Sequence, residues 1–242
     1  MKRKLIFGTI LIAVVVAAIV AFYNKSDKPY TIKNGMIHFA EPERVAGQTS
    51  MLGFAAEPID TVRVGIIGIG QRGRGPLKRM SFIEGVKIVA ICDLHQDRID
   101  RAQARLEKYN SPRADEYVGE EAWKEMCQRE DIDLIYIVTP WAAHTPMAVY
   151  AMEHGKHVAI EVPSAMNLEQ CWRLIDLAER ERLHCFILEN CCYDYYELTA
   201  LNMAQQGLFG EIVRAEGAYI HTLDIYWDSY WHDPNDNDTD GL

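Results

Sequence analysis

Positive charge is scarce in this chain: 25 Lys+Arg stand against 35 Asp+Glu, a formal net charge of −10. An acidic chain repels phosphate backbones, which argues against a nucleic-acid partner. Cysteine spacing of the metal type is also lacking. None of the 6 cysteines forms a CxxC pair matched by a second pair, so structural zinc is not expected. They do not make a disulfide scaffold either. Cys92 and Cys185 lie in apolar, strand-like runs where cysteine acts as a small hydrophobe, and Cys191-Cys192 are neighbours, a poor geometry for a bridge. The first cysteine is Cys92, so no lipid-modified cysteine stands near the N-terminus. Repeats and low-complexity stretches are missing too. What is present is 49% hydrophobic and 25% charged residues, the profile of a globular protein. A length of 242 residues holds one large domain, or one domain and part of another.

The N-terminus reads as an export signal. Met1-Lys2-Arg3-Lys4 is basic and Leu5 to Tyr23 carries no charge. A secretory signal has an apolar core of roughly 7–15 residues and a membrane span needs about 20. The segment is long for the first and adequate for the second. Residues 1–25 are therefore expected to be a signal peptide or a membrane anchor. Either way the rest of the chain is exported, to the periplasm or to the outer side of the inner membrane. No other membrane contact is expected. Residues 26–60 have no sustained period and contain Pro29, Pro42 and Pro58; they read as a linker that packs on the domain or stays loose.

From Thr61 the pattern becomes regular. Val62 to Ile67, Val86 to Cys92, Asp133 to Thr139, His157 to Val162 and His184 to Leu188 are short apolar runs of strand length. Helical spacing fills Gln96 to Tyr109, Ala142 to His154 and Leu168 to Leu183 between them. Near-continuous apolar strands alternating with amphipathic helices predict a parallel sheet covered on both faces. The fold class is α/β, a doubly wound parallel sheet of Rossmann type over 61–188. A helix from about Tyr195 to Gln206 and a strand over 211–221 would open an α+β substrate domain, incomplete within 189–242.

Gly68-Ile69-Gly70-Gln71-Arg72-Gly73 is a GxGxxG turn that follows a strand and opens a predicted helix. Gly68 allows the tight turn, Gly70 lets backbone approach a pyrophosphate, and Gly73 permits close helix packing. The helix N-terminus offers N–H groups to the phosphates. Asp93 ends the second strand about 20 residues beyond the turn, where an acid accepts hydrogen bonds from the adenosine ribose. Its charge repels a 2′-phosphate, and Leu94 and His95 supply no arginine to hold one, so NAD is favoured over NADP.

Three further stretches resemble the Gfo/Idh/MocA group of sugar oxidoreductases: Thr139-Pro140-Trp141-Ala142-Ala143-His144, Glu161-Val162-Pro163 and Glu189-Asn190. The second is usually Glu-Lys-Pro in that group, and its lysine assists proton transfer at the sugar. Val162 cannot do so, which counts against an ordinary sugar dehydrogenase. Glu-Val-Pro, the Trp-x-x-His turn and the run Glu189 to Asp194 together resemble glycoside hydrolase family 109, the NAD-dependent α-N-acetylgalactosaminidase branch. Gln48 to Gly53 is similar to that family's approach to the first strand, and the resemblance spans about residues 46–242.

The resemblance implies that Gln71 and Arg72 sit at the cofactor turn and Asp93 at the ribose. Trp141 and His144 line the nicotinamide side; Glu161, Val162 and Asn190 lie beside the cofactor; Tyr219 touches substrate. The implied partner is a glycan bearing N-acetylgalactosamine. The implied route takes hydride from C3 of the sugar, eliminates the glycosidic group by loss of the C2 proton, adds water and returns the hydride. Its acid/base is a Tyr-x-x-His motif, which this sequence does not contain, and His221 is poorly spaced to replace it. No catalytic residue is assigned. An NAD-dependent sugar or inositol dehydrogenase and a non-catalytic NAD-binding protein stay open, as does homo-oligomerisation. Asp236, Asp238, Asp240 and Gly241 resemble the start of a calcium loop, but a solvated acidic loop is the simpler expectation.

Overall fold

The computed structural model describes residues 30–39, 48–218, 220 and 222. The segment 1–25, Tyr219, His221 and the acidic stretch 236–241 lie outside them. Two compact units divide the chain at Arg44. In the first, β1 (Tyr30–Lys33) pairs antiparallel with β2 (Met36–Phe39). The loop is Asn34-Gly35, both at positive φ (52° and 78°), as a two-residue hairpin turn requires. A hairpin thus stands where a linker without regular structure is the sequence expectation.

The second unit carries the large sheet. Its elements run β3 (Val62–Ile67), α1 (Arg74–Met80), β4 (Val86–Asp93), α2 (Gln96–Lys108), β5 (Asp115–Val118) and α3 (Ala122–Cys127). Then come β6 (Leu134–Ile137), α4 (Trp141–Glu153), β7 (His157–Ile160), α5 (Leu168–Glu181), β8 (Cys185–Ile187) and α6 (Tyr195–Gln205). Six strands lie in the order β5-β4-β3-β6-β7-β8, and every pairing is parallel. The chain winds outward from β3 to β5 on one side, then returns to β6 and winds outward on the other. The order reverses between β3 and β6, and ligands of such sheets bind outside the carboxyl ends at that point.

Both faces are buried because alternate strand residues feed two cores. Val64, Ile66, Ile88, Ile91 and Tyr136 meet Leu77 of α1 and Ile99 and Leu106 of α2. Ile67, Ile135, Ile137, Val158 and Ile160 meet Met126, Met152, Leu174 and Leu177 from α3, α4 and α5. Each fully buried side chain of this size contributes about 1.5–3 kcal/mol. Helix α5 starts at Asn167, whose side chain accepts the Gln170 N–H at 2.9 Å, a cap that contributes about 1 kcal/mol. The strands and helices near the site therefore hang on a rigid, two-sided frame.

Residues 48–56 pack against α5, its C-cap and His184, the residue before β8. Gln48 Nε2 donates to Asp176 O at 3.0 Å, Arg182 donates to Thr49 O at 2.9 Å, and the Phe54 and His184 rings stand 4.9 Å apart. The strand expected over 211–221 does not form: 211–218 and 220 carry no regular structure. No strand lies beside them among the described residues, so their backbone groups have no ladder to join. Helix α6 forms as expected and buries none of its residues.

Candidate cofactor site

The predicted site residues that are described collect at the carboxyl edge of the sheet. Gly68 follows β3, Asp93 ends β4, Trp141 follows β6, Glu161 follows β7 and Asn190 follows β8. The three turn glycines do different work. Gly68 has φ 92°, and a Cβ on it would fall 2.5 Å from Val138 O. A Cβ on Gly73 would fall 2.3 Å from Gly68 O. Gly70 is different: the nearest atom to its Cβ position is Arg98 Nη1, at 3.6 Å. The backbone of Gly70 is thus bare on one side, the cradle that a diphosphate needs, and the residues present fit a dinucleotide.

Asp93 is buried, at 6% exposure. Its Oδ2 accepts the Ile69 N–H at 2.7 Å and its Oδ1 accepts the His95 N–H at 3.1 Å. Arg98 Nη1 stands 3.7 Å from Oδ1. The carboxylate therefore ties the glycine turn to the end of β4, a role its position in the sequence does not reveal. Each oxygen has two acceptor directions, so the bonds already made leave capacity for ribose hydroxyls.

Glu161 anchors the other side. At 5% exposure it accepts the Tyr136 hydroxyl on Oε1 at 3.1 Å and pairs through Oε2 with Arg72 Nη2 at 3.1 Å. This pair reaches from the glycine turn to the end of β7, across the point where strand order reverses. Burial, with the adjacent Glu161 charge, pushes the Tyr136 hydroxyl up to about 12, so it stays a donor at neutral pH. Tyr136 is a site residue that motif reading misses. Its only sequence signal is an aromatic hydroxyl inside an aliphatic strand.

His144 does not line an open surface. It is 1% exposed, with Nδ1 2.7 Å from Pro163 O and Nε2 2.5 Å from Thr139 O. Both partners are backbone carbonyl oxygens, so the ring bridges two loops through its two nitrogens. The residue clamps the loop after β6 to the loop after β7. Trp141, 54% exposed, opens α4, and Val162, 37% exposed, adjoins Glu161. Gln71 and Asn190 are exposed, and Asn190 Nδ2 donates to Cys191 Sγ at 3.7 Å.

Residues 62–188 match the model of an oxidoreductase family with an NAD-binding Rossmann fold, Gfo/Idh/MocA. The chain belongs to this family. Curated relatives narrow the likeness. A glycosyl hydrolase family 109 protein of Phocaeicola vulgatus is 58% identical over 208 residues, 86% of this chain and 38% of that protein. An alpha-N-acetylgalactosaminidase of Bacteroides fragilis is 55% identical over 180 residues, 74% of this chain and 42% of that protein. The chain thus spans about two-fifths of the length of these relatives. Among solved structures, myo-inositol 2-dehydrogenase from Lactobacillus plantarum superposes with a TM-score of 0.55 at 26% identity, over 63% of this chain and 43% of that one.

Proposed function

We propose that this Gfo/Idh/MocA chain provides the NAD site of an exported glycosidase acting on α-N-acetylgalactosaminides. One observation carries the choice of glycosidase over dehydrogenase. Val162 stands at the mouth of the site beside Glu161, where a sugar dehydrogenase of this group needs a lysine to move a proton. The 55% identity to an alpha-N-acetylgalactosaminidase supports the same reading.

Gly70 and the turn around it would hold the diphosphate, and Asp93 the adenosine ribose. Arg72 and Glu161 would flank the nicotinamide ribose, with the ion pair keeping the Glu161 carboxylate oriented as an acceptor. Trp141 offers an apolar face that keeps water from the reacting end. When bound, NAD supplies reversible hydride transfer at a sugar carbon, which lets a hydrolase work by elimination without net oxidation. Export rests on the basic start Met1 to Lys4 and the uncharged run Leu5 to Tyr23.

The test is p-nitrophenyl α-N-acetylgalactosaminide with NAD present. Release of nitrophenol without build-up of NADH is the expected result. NADH accumulating from free sugars or inositols, with no nitrophenol, would replace the reading with a dehydrogenase. NAD binding with neither signal would leave a binding protein. Cell fractionation checks export: the expected location is the periplasm or the inner membrane, and recovery in the cytosol would refute it.

A further inference from the structure

Two histidines tie the segment before β3 to the end of the sheet opposite the cofactor site. His157 opens β7, and His184 precedes β8. Their rings stand 5.2 Å apart and both are half-buried. The Ala56 N–H donates to His184 Nε2 at 3.3 Å, and the His184 N–H donates to His157 Nδ1 at 2.9 Å. A backbone amide can only donate, so each of these ring nitrogens must keep its lone pair. A protonated imidazole has none to offer. Burial, then the neighbouring His184, holds His157 below its usual 6.5, against the opposing pull of Asp133. Charges meet the pair from every side. Asp133 is engaged by Arg63, and the Lys156 ammonium donates to Arg129 O. The Arg182 guanidinium lies over the Phe54 ring, 4.5 Å from its centroid, and His184 rests on the same ring at 4.9 Å. Glu179 and Cys185 border the same groove as His184, and burial pushes the Cys185 thiol up to about 12, so it stays neutral. Met51 closes that groove, about 470 Å³, against Leu174, Ile175, Ala178 and Phe186.

We propose that His157 and His184 form an acid-sensitive latch on residues 51–56. At neutral pH both rings accept and the segment is seated. As pH falls, protons take the lone pairs. The Ala56 and His184 amides lose their acceptors, and a second cation arrives at the Phe54 ring that Arg182 already occupies. The segment then lifts and opens the groove behind Met51. Gln48 and Arg182 keep its start attached, because their bonds to Asp176 O and Thr49 O do not titrate in this range. The hold is complete above 6.5, where an exposed histidine is already neutral, and is lost as pH falls through the lowered value of His157. The latch goes beyond the glycosidase reading and holds whether or not NAD binds.

Amide hydrogen exchange of the full chain, read by peptide mass at about pH 7.5 and about pH 5, tests it once rates are corrected for the intrinsic effect of pH. Peptides covering 51–56 are expected to lose about three- to tenfold in protection at the lower pH, the worth of one net hydrogen bond. Peptides of β3 and α2 should keep theirs. His184→Gln, neutral at both pH values, is expected to abolish the drop, and His157→Gln to reduce it. Unchanged protection of 51–56 in the wild type overturns the proposal, whatever the variants do. An equal drop in β3 and α2 overturns it too, because that marks general acid unfolding. A drop of wild-type size in both variants assigns the effect to another group and overturns it as well.

Discussion

Alanine at Gly70 and at Gly73 separates binding from folding within a single turn. A Cβ on Gly73 would fall 2.3 Å from Gly68 O and 2.9 Å from Ile69 Cα. Both are backbone atoms, so no side chain can swing aside and the turn itself must shift. Overpacking of this kind costs about 1–3 kcal/mol. For a chain of this size that is about 2–4 °C in the melting midpoint per kcal/mol. Gly70 has no positive φ, and the nearest atom to its Cβ position is Arg98 Nη1 at 3.6 Å, an ordinary van der Waals distance. Alanine there should change stability by less than about 0.5 kcal/mol. Yet its methyl group would stand where the diphosphate approaches. Lost hydrogen bonds to a charged group cost about 1.5–3 kcal/mol, roughly 10–100-fold in Kd. Calorimetric melting and NAD titration of both variants give the four numbers needed. The expected pattern is Gly70→Ala melting like wild type but binding 10–100-fold more weakly, and Gly73→Ala melting lower. A well-folded Gly70→Ala with wild-type NAD affinity would refute the placement of the diphosphate.

Three other outcomes follow from the geometry. Tyr136→Phe removes the donor to buried Glu161 Oε1 and should cost about 1–3 kcal/mol in urea unfolding; a change under 0.5 kcal/mol would show that Arg72 alone satisfies the carboxylate. Asp133 is held below its usual 3.8 by side-chain hydrogen bonds from Arg63, against the opposing effect of burial. A lowered carboxyl pKa stabilises the fold above 3.8 and loses that contribution as pH falls through the lowered value. Asp133→Asn should therefore cost about 0.5–1 kcal/mol at pH 6, discounted because Arg63 is partly in solvent, and less at pH 3; an equal cost at both would remove the ion pair as the cause. Burial pushes Cys92, Cys127 and Cys185 up to about 12, while Cys171, Cys191 and Cys192 are exposed. A disulfide reagent at neutral pH, read by peptide mass, should modify the second three in the native protein and the first three only after denaturation; rapid labelling of Cys92 would contradict the buried sheet.

The central strands were legible because burial on both faces leaves them almost wholly apolar. Val62–Ile67 agrees to the residue, and Val86–Asp93 extends the expected run by one. Strand β5 was missed because it is an edge strand and reads Asp-Glu-Tyr-Val, with most of its residues exposed. Helix α3 is too short to show a period. The hairpin carried an Asn-Gly signal, but its strands are so exposed that no alternation marks them. The site was legible where backbone demands a residue type, as at Gly68 and Gly73. It was not legible where the fold turns a side chain back onto the site. Arg98 arrives by the first turn of a helix, and Tyr136 by the pleat of a strand. His144, expected to line the nicotinamide side, is 1% exposed in the first turn of α4, with both ring nitrogens at backbone carbonyls.

The bond from Ile69 N–H to Asp93 gives the acid a scaffold role beside the ribose contact proposed for it. Removing its side chain frees the glycine turn as well as the ribose, so a weakened dinucleotide in such a variant does not by itself report a lost ribose contact. The amide of Ile69 is the natural witness that tells the two apart. While the carboxylate holds it, its hydrogen should exchange slowly with solvent, unlike those of exposed Gln71 and Arg72. An Asn at this position still offers an oxygen to that amide but no charge. It could leave exchange slow while affinity falls, which divides a scaffold bond from a recognition bond within one side chain.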